Sequence, residues 1–360
     1  MFFTNANHGN GAEFKMKSIR VKYIAQMVGA FLSAFFLVNI LCYFYSNVAK
    51  SITNPNRYTT TKSKTQRYVF YGQEGYGITT TDKNGFYNDG NVLPNDANVI
   101  CIGSSHTEAI QINTSQNYVS QLNKLNPAYN AYNLGVSGQS RTKTLYRLPY
   151  IPVHFPVCKV IINETPSLPT LNEWDDIIHL LETNDAPIDN QDWKDGNILF
   201  RLYRAMPYAG LLFSQFQTLH IINTKSSNIN NTRSPSKESN DMEQYRKKAN
   251  YAMGLLRNHL KDTPLIIVYL PKYSIEKDGS IFATNDIEQK EILQEVCESH
   301  QIVFVHEQIK TAWFRNYESN RRLPYGFQNS HVGQGHLNAE GHRMLAEVLH
   351  KILQEEGFGQ

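Results

Sequence analysis

At 360 residues, the chain has room for one large domain or two ordinary ones, with a substantial core. Apolar residues make up 41% and charged residues 19%, which excludes a disordered or fibrous chain. Four cysteines in no pairing pattern exclude a disulfide-stapled scaffold, and no CxxC or Cys/His cluster calls for a metal or cofactor. The net charge of +3 invites a nucleic-acid reading that its distribution rejects. Residues 1–70 carry nine Lys/Arg against one acid, Glu13, which leaves 26 basic and 31 acidic residues in the remainder.

Residues 1–22 form a basic head. Tyr23 to Ala49 contains no charged residue, and within it Ile24–Tyr45 supplies 22 mostly apolar residues. A helix needs about 20 to cross a bilayer core. A cleaved signal peptide is the alternative, but its apolar region runs to about 7–15 residues, and Asn47-Val48-Ala49 is a poor cleavage site. An uncleaved anchor over 23–49 is therefore expected. Four Lys/Arg precede the span and five follow it, so charge alone does not orient it. Long segments translocate largely regardless of charge. A short basic head then suits an inside N-terminus, with the large domain on the periplasmic or extracellular side. Residues 50–68, rich in Ser, Thr, Asn and Lys, read as a tether, and 69–360 as a globular domain.

In that domain, short β-branched runs alternate with longer periodic segments. Strands are expected at Asn98–Gly103, Ala131–Leu134, Lys159–Asn163, Leu265–Leu270 and Ile302–Val305. Helical text lies near 107–109, 118–125, 142–150, 241–260, 286–299 and 338–353. Continuous apolar strands separated by helices imply a parallel sheet covered on both faces. This is a doubly wound (flavodoxin-like), three-layer α/β/α domain, preceded by one N-terminal transmembrane helix. About 170–240 reads as an insertion: Leu180–Asn197 and Thr224–Asn240 as loops, and Ile198–Ile222 as an extra helix pair, a lid or a membrane-resting segment.

Ligands of such sheets sit at the carboxyl ends of the strands, and four segments end there. The first strand runs into Gly103-Ser104-Ser105-His106-Thr107-Glu108, presenting a serine hydroxyl beside a backbone amide; an ordinary helix cap reads the same way. The second runs into Asn133-Leu134-Gly135-Val136-Ser137-Gly138, where glycines let a ligand approach or simply make a turn. The third ends in Asn163-Glu164. His336 stands just before the last helix, in Gly335-His336-Leu337-Asn338-Ala339-Glu340-Gly341-His342.

Taken in order, these segments resemble the SGNH hydrolases, the GDSL lipase/esterase superfamily. Thr81-Asp82-Lys83-Asn84-Gly85-Phe86, followed by a strand and GSSHTEA, is similar to the opening of membrane-attached members. NLGVSGQS and HLNAEGHRMLAEVL are similar to their second and last blocks. The resemblance covers roughly residues 79–355, without the insertion. It implies Ser105 as nucleophile and oxyanion donor, Gly138 and Asn163 as further oxyanion donors, and His336 as general base. The Asp of the GDS motif is Ser104 here. The family's acid, three residues before the histidine, is Gly333, so the sequence shows a dyad without its third member. A backbone carbonyl, a carboxylate from elsewhere such as Glu108 or Glu164, or the uncharged Gln334 are the substitutes it offers. His106 is expected to pack, Cys101 to be a buried inert thiol, and His331 and His342 to be surface residues.

The expected function is a membrane-anchored serine esterase or acyltransferase, acting on O-acetyl groups of an envelope or exported polysaccharide. Two alternatives stand beside it: a catalytically weak scaffold or glycan-binding component of a polysaccharide assembly system, and a lipase-like esterase.

Overall fold

The structure is a computed structural model that describes residues 9–45, 66–71, 74–88, 93–183, 235–276, 278–284, 287–328, 330 and 333–358. The first helix, α1 (Gly9–Tyr45), takes in much of the expected basic head as well as the apolar span. At 1.5 Å per residue, its 37 residues extend about 55 Å. Its Val21–Ile40 portion is long and apolar enough to cross a membrane, and 6% of it is buried.

The next elements were not expected. β1 (Gln66–Tyr71) and β2 (Tyr76–Thr81) form an antiparallel hairpin. β1 begins three residues inside the segment read as tether. The hairpin docks through β2, whose Ile78 and Thr80 amides donate to Asn113 Oδ1 and Thr114 Oγ1, each at 2.8 Å. β1 is rich in aromatic and β-branched residues (RYVFY) and β2 (YGITTT) is largely polar, but neither belongs to the strand–helix alternation, so periodicity did not mark them.

The central sheet follows the expected positions closely. β3 (Val99–Ile102) leads through the short α2 (Ser105–Glu108) and α3 (Tyr118–Leu125) to β4 (Ala131–Asn133). Helices α4 (Arg141–Arg147) and α5 (Ile151–His154) lead to β5 (Val160–Thr165), and α6 (Leu171–Thr183) follows. Leu180–Thr183, read as loop, therefore continues a helix. Trp174, Ile177 and Leu181 supply the period that holds it on the sheet. The expected segment Ile198–Ile222 lies outside the described residues.

The chain resumes with α7 (Pro235–Leu260) and β6 (Leu265–Tyr269). A small hairpin follows, β7 (Tyr273–Ile275) with β8 (Ile281–Ala283). Then come α8 (Glu288–Ser299), β9 (Val303–Val305), α9 (Glu307–Asn320) and α10 (Ala339–Glu355). The polar text of α9 hid it, yet Ile309, Trp313 and Tyr317 put one buried face on the core.

All five central strands are parallel, in the order β4-β3-β5-β6-β9. This is the flavodoxin-like order, with its switch point around β3. Alternate residues face opposite layers. Ile100, Ile102, Ile161 and Ile267 pack under α4, α6, α7 and α8 with Leu145, Trp174, Met253 and Leu293. Cys101, Ile162, Ile266 and Val268 pack under α3, α9 and α10 with Leu122, Trp313 and Leu345. Because both faces are covered, the strands read as unbroken apolar runs.

Candidate active site

The carboxyl end of β3 delivers Ser105. Ser104 caps α2, its side chain accepting from the His106 amide, so Ser105 opens the helix with no intrahelical acceptor for its own amide. Glu164, at the end of β5, clamps this turn. It accepts from the Ser104 amide at 3.0 Å, the Ser104 hydroxyl at 3.1 Å and the Thr107 hydroxyl at 2.8 Å. Burial raises the Glu164 carboxyl above its ordinary value, against the pull of these donors. A side chain at Gly103 would collide with both Thr107 and Glu164.

His336 Nε2 lies 2.7 Å from Ser105 Oγ. Its Nδ1 is hydrogen-bonded to the carboxylate of Glu74, which also accepts from the His336 backbone amide at 2.9 Å. A carboxylate on Nδ1 holds the proton there and leaves Nε2 to accept from the serine hydroxyl. Glu74 comes from the turn between β1 and β2, upstream of every recognised block. It is a carboxylate from elsewhere in the chain, as one of the expected substitutes required, but neither Glu108 nor Glu164. Two glycines make the approach possible. Gly75 takes φ +75° in the turn, and at Gly335 (φ +85°) an added Cβ would land on the Glu74 carboxylate.

The two other expected carboxylates hold backbone elsewhere. Glu164 clamps the Ser104 turn. Glu108, fully buried, accepts from the Ser137 hydroxyl and, at 3.0 Å, from the Ser137 amide. That contact fixes the loop after β4 just before Gly138, a residue at φ +71°. The same loop continues the pairing with β3 past the strand: Leu134 N donates to Cys101 O at 2.7 Å and Val136 N to Gly103 O at 3.1 Å. The Arg147 guanidinium, also buried, donates to Leu134 O and to Gln139 Oε1. Asn163 pairs with Ile102 across β5 and β3. It is buried, and its Oδ1 has no hydrogen-bond partner among the described residues. Ser105, Gly138 and Asn163 thus sit at the ends of three adjacent strands.

The TDKNGF block is structural. Asp82 Oδ1 accepts from the Asn84 and Phe86 amides at 2.8 and 3.1 Å, and its other oxygen from Asn88 and Tyr132. His106 packs as expected, its Nδ1 accepting from Leu337 N at 3.2 Å, its ring 5.2 Å from that of His336. Burial, and the positive charge of neighbouring groups, hold its pKa well below the usual histidine value. Cys101 is fully buried, and burial pushes its thiol well up.

His342 corrects an expectation. It is buried, not exposed: its ring stacks on Tyr118 and its Nδ1 accepts from Tyr118 N at 3.2 Å. Burial lowers its pKa to about 3. The turn of α10 faces the core here because Gly341 packs directly on Pro324. His331 lies outside the described residues.

Two cavities adjoin the site. One, of about 270 Å³, is lined by Ser104, Gln139, Asn163 and Glu164, with Leu145 and Trp174 among its apolar walls. The other, of about 220 Å³, is lined by His106, Lys272, Tyr273 and Gly333 to Gly335. Among the described residues, no group of three or more His, Cys, Asp or Glu could hold a metal ion.

No family model matches the chain, and no curated protein does. Solved structures similar to it include a member of the lipolytic G-D-S-L family from Veillonella parvula. It is 14% identical at a TM-score of 0.35, over 71% of this chain and 97% of that one. The salicylyl-acyltransferase SsfX3 of a tetracycline biosynthetic pathway is 8% identical at 0.36, over 72% and 56%. A peptidoglycan O-acetylesterase is 13% identical at 0.30, over 63% and 46%.

Proposed function

We propose that the chain is an SGNH hydrolase that works as a serine esterase or acyltransferase. The observation that carries this reading is the hydrogen-bonded line from Ser105 Oγ through the His336 ring to Glu74. A serine hydroxyl is a poor nucleophile until an adjacent base takes its proton, and the base needs a third group to orient it.

In this reading Ser105 Oγ attacks the ester carbonyl while its proton passes to His336 Nε2. The amides of Ser105 and Gly138 and the side chain of Asn163 receive the oxyanion. Glu74 stabilises the imidazolium. The intermediate collapses, the alcohol leaves with the proton from His336, and the acyl group stays on Ser105. A water or an acceptor hydroxyl then gives its proton to His336 and takes the acyl group. Hydrolysis and transfer differ only in that last acceptor.

The substrate belongs to the same proposal: O-acetyl groups of an envelope or exported polysaccharide, met at a membrane where Val21–Ile40 anchors the chain. The N-terminus would lie inside and the domain outside. The scaffold alternative drew on the missing acid at Gly333, and Glu74 supplies a carboxylate to the same histidine.

Labelling with a serine-reactive fluorophosphonate tests the chemistry. Labelling of the wild type that vanishes in Ser105→Ala supports it; a folded protein that is never labelled overturns it. Protease added to the outer face of intact cells tests the orientation. Cleavage only after lysis overturns an outer domain.

A further inference from the structure

We infer that the alcohol half of the ester is an acidic sugar, whose anionic group is held by Lys272. This deepens the proposed function and rests on Ser105 and His336 acting as nucleophile and base. The leaving oxygen must face His336 Nε2 to collect its proton, so the sugar that bears it lies on the histidine side of the site. The cavity on that side, of about 220 Å³, is lined by His106 and by Gly333 to Gly335, which lead directly into His336.

The surface this cavity offers is polar. Lys272, Thr284 and Gln334 in its lining are exposed, whereas His106, Tyr273 and Tyr325 are buried. Ammonium, hydroxyl and amide groups at one rim match the hydroxyls of a sugar better than an apolar alcohol. Among the described residues that line it, Lys272 is the one with a full charge, and none is an acid. Glu74, whose carboxylate lies beside Gly335, is committed to the ring and amide of His336.

The fold places Lys272 at this rim. Its carbonyl accepts from the Thr284 amide at 2.8 Å, which continues the β7–β8 ladder one pair beyond Tyr273 and Ala283. Lys272 and Thr284 therefore stand opposite each other on one face of the hairpin, and both line the cavity. The ammonium also acts close to the chemistry. Burial lowers the pKa of His106 first, and the charges of His336, His342 and Lys272 lower it further. The His106 ring is 5.2 Å from that of His336. A lysine binds an anion as a point charge and demands no fixed plane, so a uronate carboxylate and a sugar phosphate share the chemistry it selects.

The experiment measures acetate release by the full chain in detergent from mono-O-acetylated methyl glucuronide, glucose 6-phosphate and methyl glucoside. The acyl group is constant, so differences report the alcohol side. kcat/KM on an acidic sugar should exceed that on the neutral glucoside by about tenfold, the discrimination of one charge-assisted contact, carried mainly by KM. The better of the two acids identifies the source of the charge. The preference should shrink as salt approaches 1 M, where the screening length is about 3 Å. Lys272→Glu should reverse the preference, and Lys272→Gln, should the first variant not fold, should abolish it. A preference that survives in the folded variants overturns the assignment of Lys272. Equal rates on all three sugars, or none on any while p-nitrophenyl acetate is still turned over through Ser105, overturn the inference alone. No Ser105-dependent turnover of any ester overturns both the inference and the reading beneath it.

Discussion

Glu74 and His336 stand 262 residues apart, and the glutamate carboxylate meets both the ring and the backbone amide of the histidine. The double contact fixes the ring's position as well as its tautomer. Removing the charge while keeping the shape should therefore cost turnover more than binding. Glu74→Gln should lower kcat on a small activated ester by on the order of 10⁴-fold, the loss seen when a triad loses its acid, with KM little changed. Thermal melts of the two proteins control for folding. A variant that retains wild-type turnover would remove Glu74 from the mechanism.

The two glycines before His336 make opposite predictions. At Gly335, φ is +85° and any side chain would occupy the position of the Glu74 carboxylate. Gly335→Ala should thus reproduce the loss seen on removing Glu74. At Gly333, the position where the sequence resemblance would put the acid, the nearest groups to an added Cβ are Leu323 and Tyr273. His336 Nδ1 already has its carboxylate. Gly333→Asp should give no gain over Gly333→Asn, and both should lose some stability, since φ is +82°. A rise of tenfold or more in Gly333→Asp alone would mean that Glu74 leaves the ring in the working enzyme.

The groups proposed as oxyanion donors are fixed to different degrees, and this grades their substitutions. Asn163→Ala removes a donor outright and should cost about 10²–10³-fold in kcat. Glu108 acts one step back, through Ser137, and both contacts fall on one carboxylate oxygen, so Glu108→Gln with its amide oxygen in that place still accepts both, without the charge. Its kcat should fall less than that of Asn163→Ala, with KM steady. Parallel losses in kcat and in melting temperature would make Glu108 a purely structural group.

The parallel sheet was legible because both its faces are buried, so β3, β5 and β6 stand out as apolar runs against polar loops. Ser105 and His336 were legible because their neighbours are constrained too. Ser104 must cap, Asn338 must cap α10 through the Gly341 amide, and Gly103 and Gly341 must pack without a side chain. Glu74 was not legible by these means. It sits in the turn of a two-stranded hairpin, in VFYGQEGYGIT, outside the strand–helix alternation that marked the other segments. The glycine-flanked turn between β-rich segments was the one available signal. His342 failed for another reason. A histidine in a polar-looking block was read as exposed, but it lies on the buried stripe of α10 with Leu345 and Leu349.

The two buried histidines set how stability depends on pH. Unfolded, each ring takes a proton near pH 6.5. Folded, His342 stays neutral down to about pH 3 and His106 is held well below its usual value, both through burial first. Between these limits the unfolded chain binds more protons, so the stabilisation is complete above about pH 6.5 and declines as pH falls. Each ring contributes up to about 1.4 kcal/mol per pH unit. Glu164 acts in the opposite sense. Its raised carboxyl lets the folded state accept a proton first, which favours the fold on acidification, but it is one group against two. Urea unfolding at constant m-value should therefore show a midpoint that drops steadily from pH 7 to pH 5. His342→Asn keeps an acceptor for the Tyr118 amide and removes the titration. It should be less stable at pH 7, with a shallower decline by up to one proton's worth of slope. Parallel curves for the two proteins would mean that His342 protonates in the folded state as readily as in the unfolded chain, against the burial that its stacking on Tyr118 implies.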